Sequence, residues 1–528
     1  AKTNKNFTYM NYENQTAEHI YTVLEGRRNS YLDRARQCSK LTIPYILPDE
    51  GFGQHSRLET PFQGVGARGV NNLASKLLLA LLPPNISFFR LQVDTNKLQQ
   101  EGAPEEVISE IDSALRKVED AVTDEIARER YRTVIHESLK QLIVTGNSLL
   151  YLDQDGGMRA FRLDRFVIER DPMDNVLTIA TKETLSYEAL DEDIKAAIQK
   201  PQDSGVGSGG TVNLYTAVCK HGDKWMLKQD INGVILPQTG TTFPLDKNPY
   251  IPLRFSRVDG ENFGRSYVEE YLGDLQSLEA LTKAIVEGSA AASKILFLVN
   301  PNGTTKPKDM NAPNGAIVQG NAADVSVLQL NKFNDFRVAA ETINQIKDRL
   351  AQNFLLTSSA IRNAERVTAE EIRLISQELN AALGGIFSLL SNDLQTPLLS
   401  RLMDVMQKNK KMPKLPKDLV SPVIVTGLDS LGRQGDLNSL DSFLVGSSQV
   451  LGPQAVANFV NVSEYIKRRA TALGIKTAGL IKTQEQLAEE QQQQQLLALS
   501  EKLGPAGIKA ASDQALAQEG QAEQPPVE

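Results

Sequence analysis

Cysteine, histidine and aromatic residues are scarce in this sequence, and each scarcity removes a class of function. Two cysteines in 528 residues, Cys38 and Cys219, are too few and too far apart for a disulfide framework. They suit a reducing compartment in which both stay thiols. The four histidines, His19, His55, His136 and His221, are scattered, and none pairs with another His or Cys at metal-ligand spacing, so no metal site is expected. There is no G-x-x-x-x-G-K-[ST] loop, which disfavours an ATP-driven motor, and no G-x-S-x-G elbow. No cofactor is expected. The most apolar run, LASKLLLALL at 73–82, is too short to span a bilayer and carries Lys76. The first residues, AKTNKNFTYMNYENQ, lack the apolar core of a secretory signal, so no membrane partner is expected. A net charge of −8 argues against a protein that grips nucleic acid through a broad basic surface.

What is present describes a soluble protein of more than one domain. Hydrophobic content is 41% and charged content 23%, and the length exceeds what one ordinary core holds. Up to about residue 155 the chain reads mainly as helices: 15–40, stopped before Pro44, then EEVISEIDSALRKVEDAVTDEIARE and RTVIHESLKQLIVTGNSLLYL within 104–152. From 158 to 258 the pattern shortens to β-rich runs such as RAFRLDRFVIER, NLYTAVCK and KWMLKQDINGVILP, with SGVGSGG at 204–210 as a flexible loop. Ser266 and Glu269 form a capping box, and the helix they start runs to the small-residue stretch GSAAAS at 288–293. Two short β runs, ILFLVN and DVSVLQL, flank a Pro/Gly/Lys loop, and a second helix covers about 334–356. Residues 410–480 read as shorter helices. A Gln-rich helix start follows 483, and 504–528 is too polar to form a core and is expected to be disordered.

The stretch from Glu365 to Leu399 joins a short basic loop to a long amphipathic helix. Thr368 with Glu371 is a second capping box, and Ile372, Ile375, Leu379, Leu383, Ile386 and Leu390 recur at helical spacing. Thirty-odd helical residues would span roughly 45–50 Å. Gly384–Gly385 sits mid-pattern as a kink. Upstream, Arg362 and Arg366 share a polar loop, which on the residues alone reads equally as solvated surface charge or as a phosphate contact.

Gly64-Val65-Gly66-Ala67-Arg68-Gly69 fits G-x-G-x-x-G, but a dinucleotide site needs a strand before it and an acidic residue about twenty on. LETPFQ is a poor strand and Asp94 a loose match, so tight helix packing is the better reading. Paired carboxylates such as Glu269-Glu270 and Glu370-Glu371 lie at helix starts, where they favour the dipole more readily than they serve acid–base chemistry.

Four blocks, TPFQGVGARGVNNLASKLLLALLP at 60–83, LKQLIVTGNSLLYL at 139–152, GRSYVEEYLGDLQSLEAL at 264–281 and the 365–399 stretch, resemble in order and separation the portal proteins, or head-to-tail connectors, of short-tailed double-stranded DNA bacteriophages. The resemblance runs from about Tyr21 to about Gly479. It implies an α+β, mainly helical portal fold with a β-rich wing insert and a small α/β clip, assembled as a ring of twelve subunits. In that scheme 1–263 is the wing, 264–294 a stem helix, 295–330 the clip, 331–356 a stem helix, 357–367 the channel loop, 368–409 a long wing and crown helix, 410–482 the crown and 483–528 the tail.

The resemblance also implies partners and places. DNA would be bound without sequence specificity, the terminase would dock during packaging and tail adaptor proteins afterwards, and capsid and scaffolding proteins would surround the ring. The location would be the capsid vertex of the virion, after synthesis in the host bacterial cytoplasm. Arg362 and Arg366 would line the channel. Lys306 and Lys308 in the clip would face a partner, DNA or solvent. Ser289, Ala290, Ala291 and Ala292 would pack between subunits. No enzyme activity is implied. Two other readings stand beside this one: a nucleotide-binding enzyme using the glycines at 64–69, and a cytoplasmic helical scaffold without DNA contact.

Overall fold

The computed structural model describes residues 15–52, 57–84, 87–93, 105–128, 130–198, 210–292, 296–308, 311–313, 315–328, 333–356, 369–413, 420–424, 440–450, 452, 460, 465, 466 and 469. The chain divides into one unit of Ala1–Asp429 and another of Ser430–Glu528. The expected loop at 204–209, the Thr368 cap, Arg362, Arg366 and the tail after 482 lie outside the described residues.

The first unit opens with helix α1, Ala17–Lys40, whose N-cap Thr16 accepts from the His19 amide at 3.2 Å. Its inner stripe starts with Ala17, Ile20, Tyr21 and Leu24. These pack on Val167, Ala180, Tyr215, Ala217 and Cys219 of an antiparallel sheet. That sheet contains β4 (Phe166–Arg170), β5 (Val176–Ser186), β6 (Thr211–His221), β7 (Lys224–Ile231) and β8 (Val234–Ile235) in order, with β9 (Thr242–Pro244) also on β7. Asn232 and Gly233, at φ +50° and +79°, turn β7 into β8, as an Asn-Gly pair favours because both residues accept the left-handed region. A short helix, α5 (Glu192–Ala197), follows β5; otherwise the β-rich reading of 158–258 is what the described residues contain.

The larger core gathers around helix α2, Val65–Leu81. Helices α3 (Glu105–Arg128) and α4 (Tyr131–Thr145) follow strand β1 (Phe89–Val93). Here the expectation of a helix running to 152 is corrected. Gly146, at φ +77°, ends α4, and Asn147–Leu152 is strand β2, paired with β3 (Met158–Phe161) and β10 (Tyr250–Arg254). NSLLYL is buried almost throughout, Asn147 and Ser148 included, with β2 the middle strand of its sheet, and a strand covered on both faces shows no alternation.

The helix starting at Ser266 is interrupted. Ser266 accepts from the Glu269 amide at 2.8 Å and caps a one-turn α6, Tyr267–Glu270; after a turn at Tyr271 comes α7, Leu272–Ala292. Glu269 turns its carboxylate to Arg265 rather than back to the cap. The short strands β11 (Leu296–Val299) and β12 (Val325–Leu328) pair antiparallel, and α8 spans Phe333–Asn353.

The long helix behind the 357–368 segment is two helices, α9 (Ala369–Leu383) and α10 (Gly385–Lys408). Gly384 separates them at φ +55° and ψ −132°, a conformation open to glycine alone. Beyond the break the buried stripe moves to Phe387, Leu390, Leu394 and Leu398. The reading of 410–480 as helices is also corrected at one place: Val420–Ile424 is a strand, β13, paired antiparallel with β1. Its Pro422 is tolerated because each strand of this two-stranded sheet has an open edge.

In the second unit residues 440–450 are helical and expose Phe443, Val445 and Val450. Tyr465 donates to Asp441 at 2.6 Å. Among the described residues no helix is long and apolar enough to cross a membrane, and no cluster of three or more potential metal ligands occurs.

Candidate functional site

Helix α2 is the spine to which the helices around the 357–368 segment attach. Its apolar stripe, Val70, Leu73, Ala74, Leu77, Ala80 and Leu81, is buried, and burying each of its valine and leucine side chains supplies roughly 1.5–3 kcal/mol. The polar and glycine positions between them decide where the partners sit.

At its start, the Glu279 carboxylate of α7 accepts from the Phe62 and Gln63 amides at 2.9 and 3.1 Å, and Gln63 Oε1 accepts from the Gly66 amide at 2.9 Å. A Cβ on Gly66 would lie 2.6 Å from the Leu41 carbonyl oxygen, and one on Gly69 2.5 Å from Phe354 Cγ. Of the motif's amides that of Gly66 is therefore engaged by the Gln63 side chain, and the space at two of the three glycines, Gly66 and Gly69, is filled. Among the described residues no strand leads into the motif; residues 57–61 are irregular. Nothing here favours nucleotide binding. At the other end Arg132 of α4 and Gln395 of α10 donate to the Leu82 and Leu81 carbonyls.

Phe354 is fully buried against Tyr267 and Tyr271, with ring centroids 5.6 and 5.9 Å away. Immediately after it, Leu355 is left-handed at φ +55°. Asn72 Nδ2 donates to the carbonyls of Phe354 and Leu355 at 3.0 and 2.9 Å. Lys76 Nζ, 1% exposed, donates to the Leu355 carbonyl at 3.0 Å and pairs with Glu378 of α9 at 2.8 Å. Both flanks of 357–368 are thus referred to α2. Arg362 and Arg366 themselves lie outside the described residues.

The other expected site residues lie apart from this cluster in the sequence and on other elements. Lys306 and Lys308 are exposed between β11 and β12. Their loop is closed by Asp324, whose carboxylate accepts from the Thr304 and Thr305 amides at 2.7 and 3.2 Å. The Thr305 amide bond, with those from Thr304, holds that carboxyl below its usual range. In the small-residue run, Gly288 faces α8: a Cβ there would lie 2.8 Å from the Phe336 ring. Ser289, Ala290 and Ala291 are exposed and Ala292 half-buried.

Sequence reasoning did not single out Asn72, Lys76, Glu279 or Glu378. One signal existed. Lys76 is the only charge in an otherwise apolar run, and a lysine forced into a core must find a partner. Neither cysteine is poised for chemistry, since burial pushes both thiols up to about 11.

Comparison with known proteins identifies the chain. The family of bacteriophage head to tail connecting proteins matches residues 14–481. This chain belongs to that family. Two relatives are portal proteins: that of Escherichia phage T7, 39% identical over 494 residues, spans 91% of this chain and 90% of its own length. That of Enterobacteria phage T3, 40% identical over 484 residues, spans 89% of each. Among solved structures a chain in the neck of an empty gene transfer agent particle is a distant likeness, at 12% identity and a TM-score of 0.36 over 78% of this chain and 90% of that one. In this chain the residues that organise α2 fall inside the matched range.

Proposed function

We propose that the protein assembles into a closed ring at a capsid vertex and forms the channel through which double-stranded DNA enters and leaves. The family match over residues 14–481 carries this reading. The ring has twelve copies and seats the terminase during packaging and tail adaptor proteins afterwards, with capsid and scaffolding proteins around it. Made in the host bacterial cytoplasm, it ends in the virion. It performs no catalysis; the ATPase belongs to its partner.

In this reading α7 and α8 are the stem, β11 and β12 with their loop the clip, and 357–367 the channel loop. Residues up to 263 form the wing, 368–409 the long helical element and 410–482 the crown. A ring needs one face of each copy to meet a different face of the next. The exposed Ser289, Ala290 and Ala291 permit close helix approach. Phe297, Leu298, Ile317 and Val318, all exposed around the two-stranded sheet, support the same reading, because two strands alone are marginally stable in water. Arg362 and Arg366 would meet DNA phosphates, and Lys306 and Lys308 a docked partner. A net charge of −8 suits a conduit, since many phosphate contacts would hold DNA through counterion release.

Electron microscopy of the purified protein tests this. Closed rings with a central opening of duplex width are expected. Monomers at every concentration would overturn the reading. Ala291→Phe should overpack the contact by about 1–3 kcal/mol per site and lower the fraction of rings in sedimentation.

A further inference from the structure

We propose that Asn72 and Lys76 of α2, with Glu378 of α9, form a positioning clamp that sets the direction in which the chain leaves α8 and enters α9. The Leu356 amide donates to the Ala351 carbonyl at 2.8 Å and the Leu355 amide to Gln352 at 3.1 Å. This is the paired bonding of a Schellman C-cap, with Leu355 at the left-handed position. Glycine is usual there because a Cβ is disfavoured by roughly 1–2 kcal/mol. A leucine holds that conformation only where its surroundings over-determine it.

The surroundings do so from two sides. On one, the Phe354 ring occupies the notch at Gly69. On the other, the Phe354 and Leu355 carbonyls, which the cap leaves without helical partners, are received by Asn72 and Lys76. Positions 69, 72 and 76 lie at i, i+3 and i+7, on one face of α2. One amide group serves both carbonyls, since it has two hydrogens.

Lys76 does more than complete a turn. A leucine at 76 would continue the run LASKLLLALL with no desolvation cost, whereas a buried ammonium is costly unless paired and hydrogen-bonded. Its ammonium joins three segments distant in sequence: α2, the turn after α8, and α9 through Glu378. Glu378 is 28% exposed, so the pair runs from the core to the surface. The ends of α8 and α9 are therefore set against one helix rather than against each other.

Hydrogen exchange on the assembled full-length protein tests the clamp through a pattern. Asn72→Ala should speed exchange about tenfold in amides 350–356 alone, Glu378→Ala in amides 369–379 alone, and Lys76→Met in both. Strands β6 and β7 should be unchanged. Glu378→Gln, which keeps an acceptor but loses the charge, should fall between the parent and Glu378→Ala. A uniform acceleration throughout, or no change, would overturn the clamp, because a residue that only adds stability moves all segments together. Should Lys76→Met fail to fold, the two half-exposed positions still decide the matter. A second measurement rests on the channel reading: rings of Lys76→Met with parental symmetry should package shorter DNA or leak it. Normal packaging alongside the exchange pattern would remove 357–368 from the channel while supporting the clamp.

Discussion

The side chain of Asn147 holds the backbone of Gly264 from both sides. Its Oδ1 accepts from the Gly264 amide at 2.7 Å and its Nδ2 donates to the Gly264 carbonyl at 2.9 Å, as a neighbouring strand would. The close approach is possible because Gly146 and Gly264 both lack a Cβ. One on Gly146 would lie 2.6 Å from the Arg265 carbonyl carbon, and one on Gly264 2.7 Å from the Gly146 oxygen. Two of the sequence blocks that carry the family resemblance thus meet at this contact.

Gly264→Ala forces backbone apart and is expected to cost about 1–3 kcal/mol, as overpacking does. Asn147→Ala leaves a buried donor and acceptor without this partner, for about 1–3 kcal/mol. Urea unfolding should show lower midpoints for both. Midpoints equal to the parent would mean that this junction adapts more easily than its geometry implies.

At Gly69 the same logic separates packing from ligand binding. Gly69→Ala collides with Phe354 and should lower stability by about 1–3 kcal/mol. The cost should shrink in a Phe354→Ala background, where the ring is gone, and this non-additivity is the signature of direct contact. Calorimetry with ATP and NAD should give no heat of binding at the 64–69 glycines. Saturable binding abolished by Gly69→Ala would restore the nucleotide reading.

Acid should loosen a charge cluster that joins the turn between β4 and β5 to α10. Asp174, at φ +72°, accepts from Arg254 and lies 3.5 Å from Arg257, which also pairs with Asp393. Burial raises its carboxyl pKa, but the Arg254 hydrogen bond and the charges of Arg254, Arg170 and Arg257 more than offset this and hold it below the usual range. A depressed folded value means that the contribution is full above the unfolded pKa of about 3.9 and is lost as pH falls through the folded one. Asp174→Asn should therefore melt below the parent at neutral pH, with the gap narrowing below about pH 4. A constant gap at all pH values would show that the loss is steric.

Much of this fold was legible in the sequence where local chemistry decides the outcome. The Asn232-Gly233 turn, the Ser266 cap and the Gly384 break each follow from one or two residues. What was not legible depends on partners far along the chain. Strand β2 shows no alternation because both faces are covered. Strand β13 contains Pro422 and becomes a strand only by pairing with β1, more than 300 residues earlier. The Lys76 cluster needs three separate segments before a lysine in an apolar run makes sense. For the candidate site the family resemblance supplied only the expectation at Arg362 and Arg366, which lie outside the described residues; the anchoring of the segments that flank them was not legible.

Those two arginines carry the last prediction. Repeated around a ring, weak phosphate contacts would add to a collar of positive charge, screened over about 8 Å at physiological salt. Loop charges contribute little to folding. Arg362→Ala with Arg366→Ala should therefore leave ring formation and melting intact while shortening packaged DNA or raising its leakage from filled particles. The parental effect should weaken as salt rises, because phosphate contacts release counterions. Length of packaged DNA and nuclease-sensitive leakage at several salt concentrations measure this directly. Normal filling and retention throughout would show that the channel passes DNA without these arginines. Loss of the rings themselves would assign the arginines to contacts between subunits instead, with acidic side chains such as Glu365 or Glu370 as the partners to substitute next.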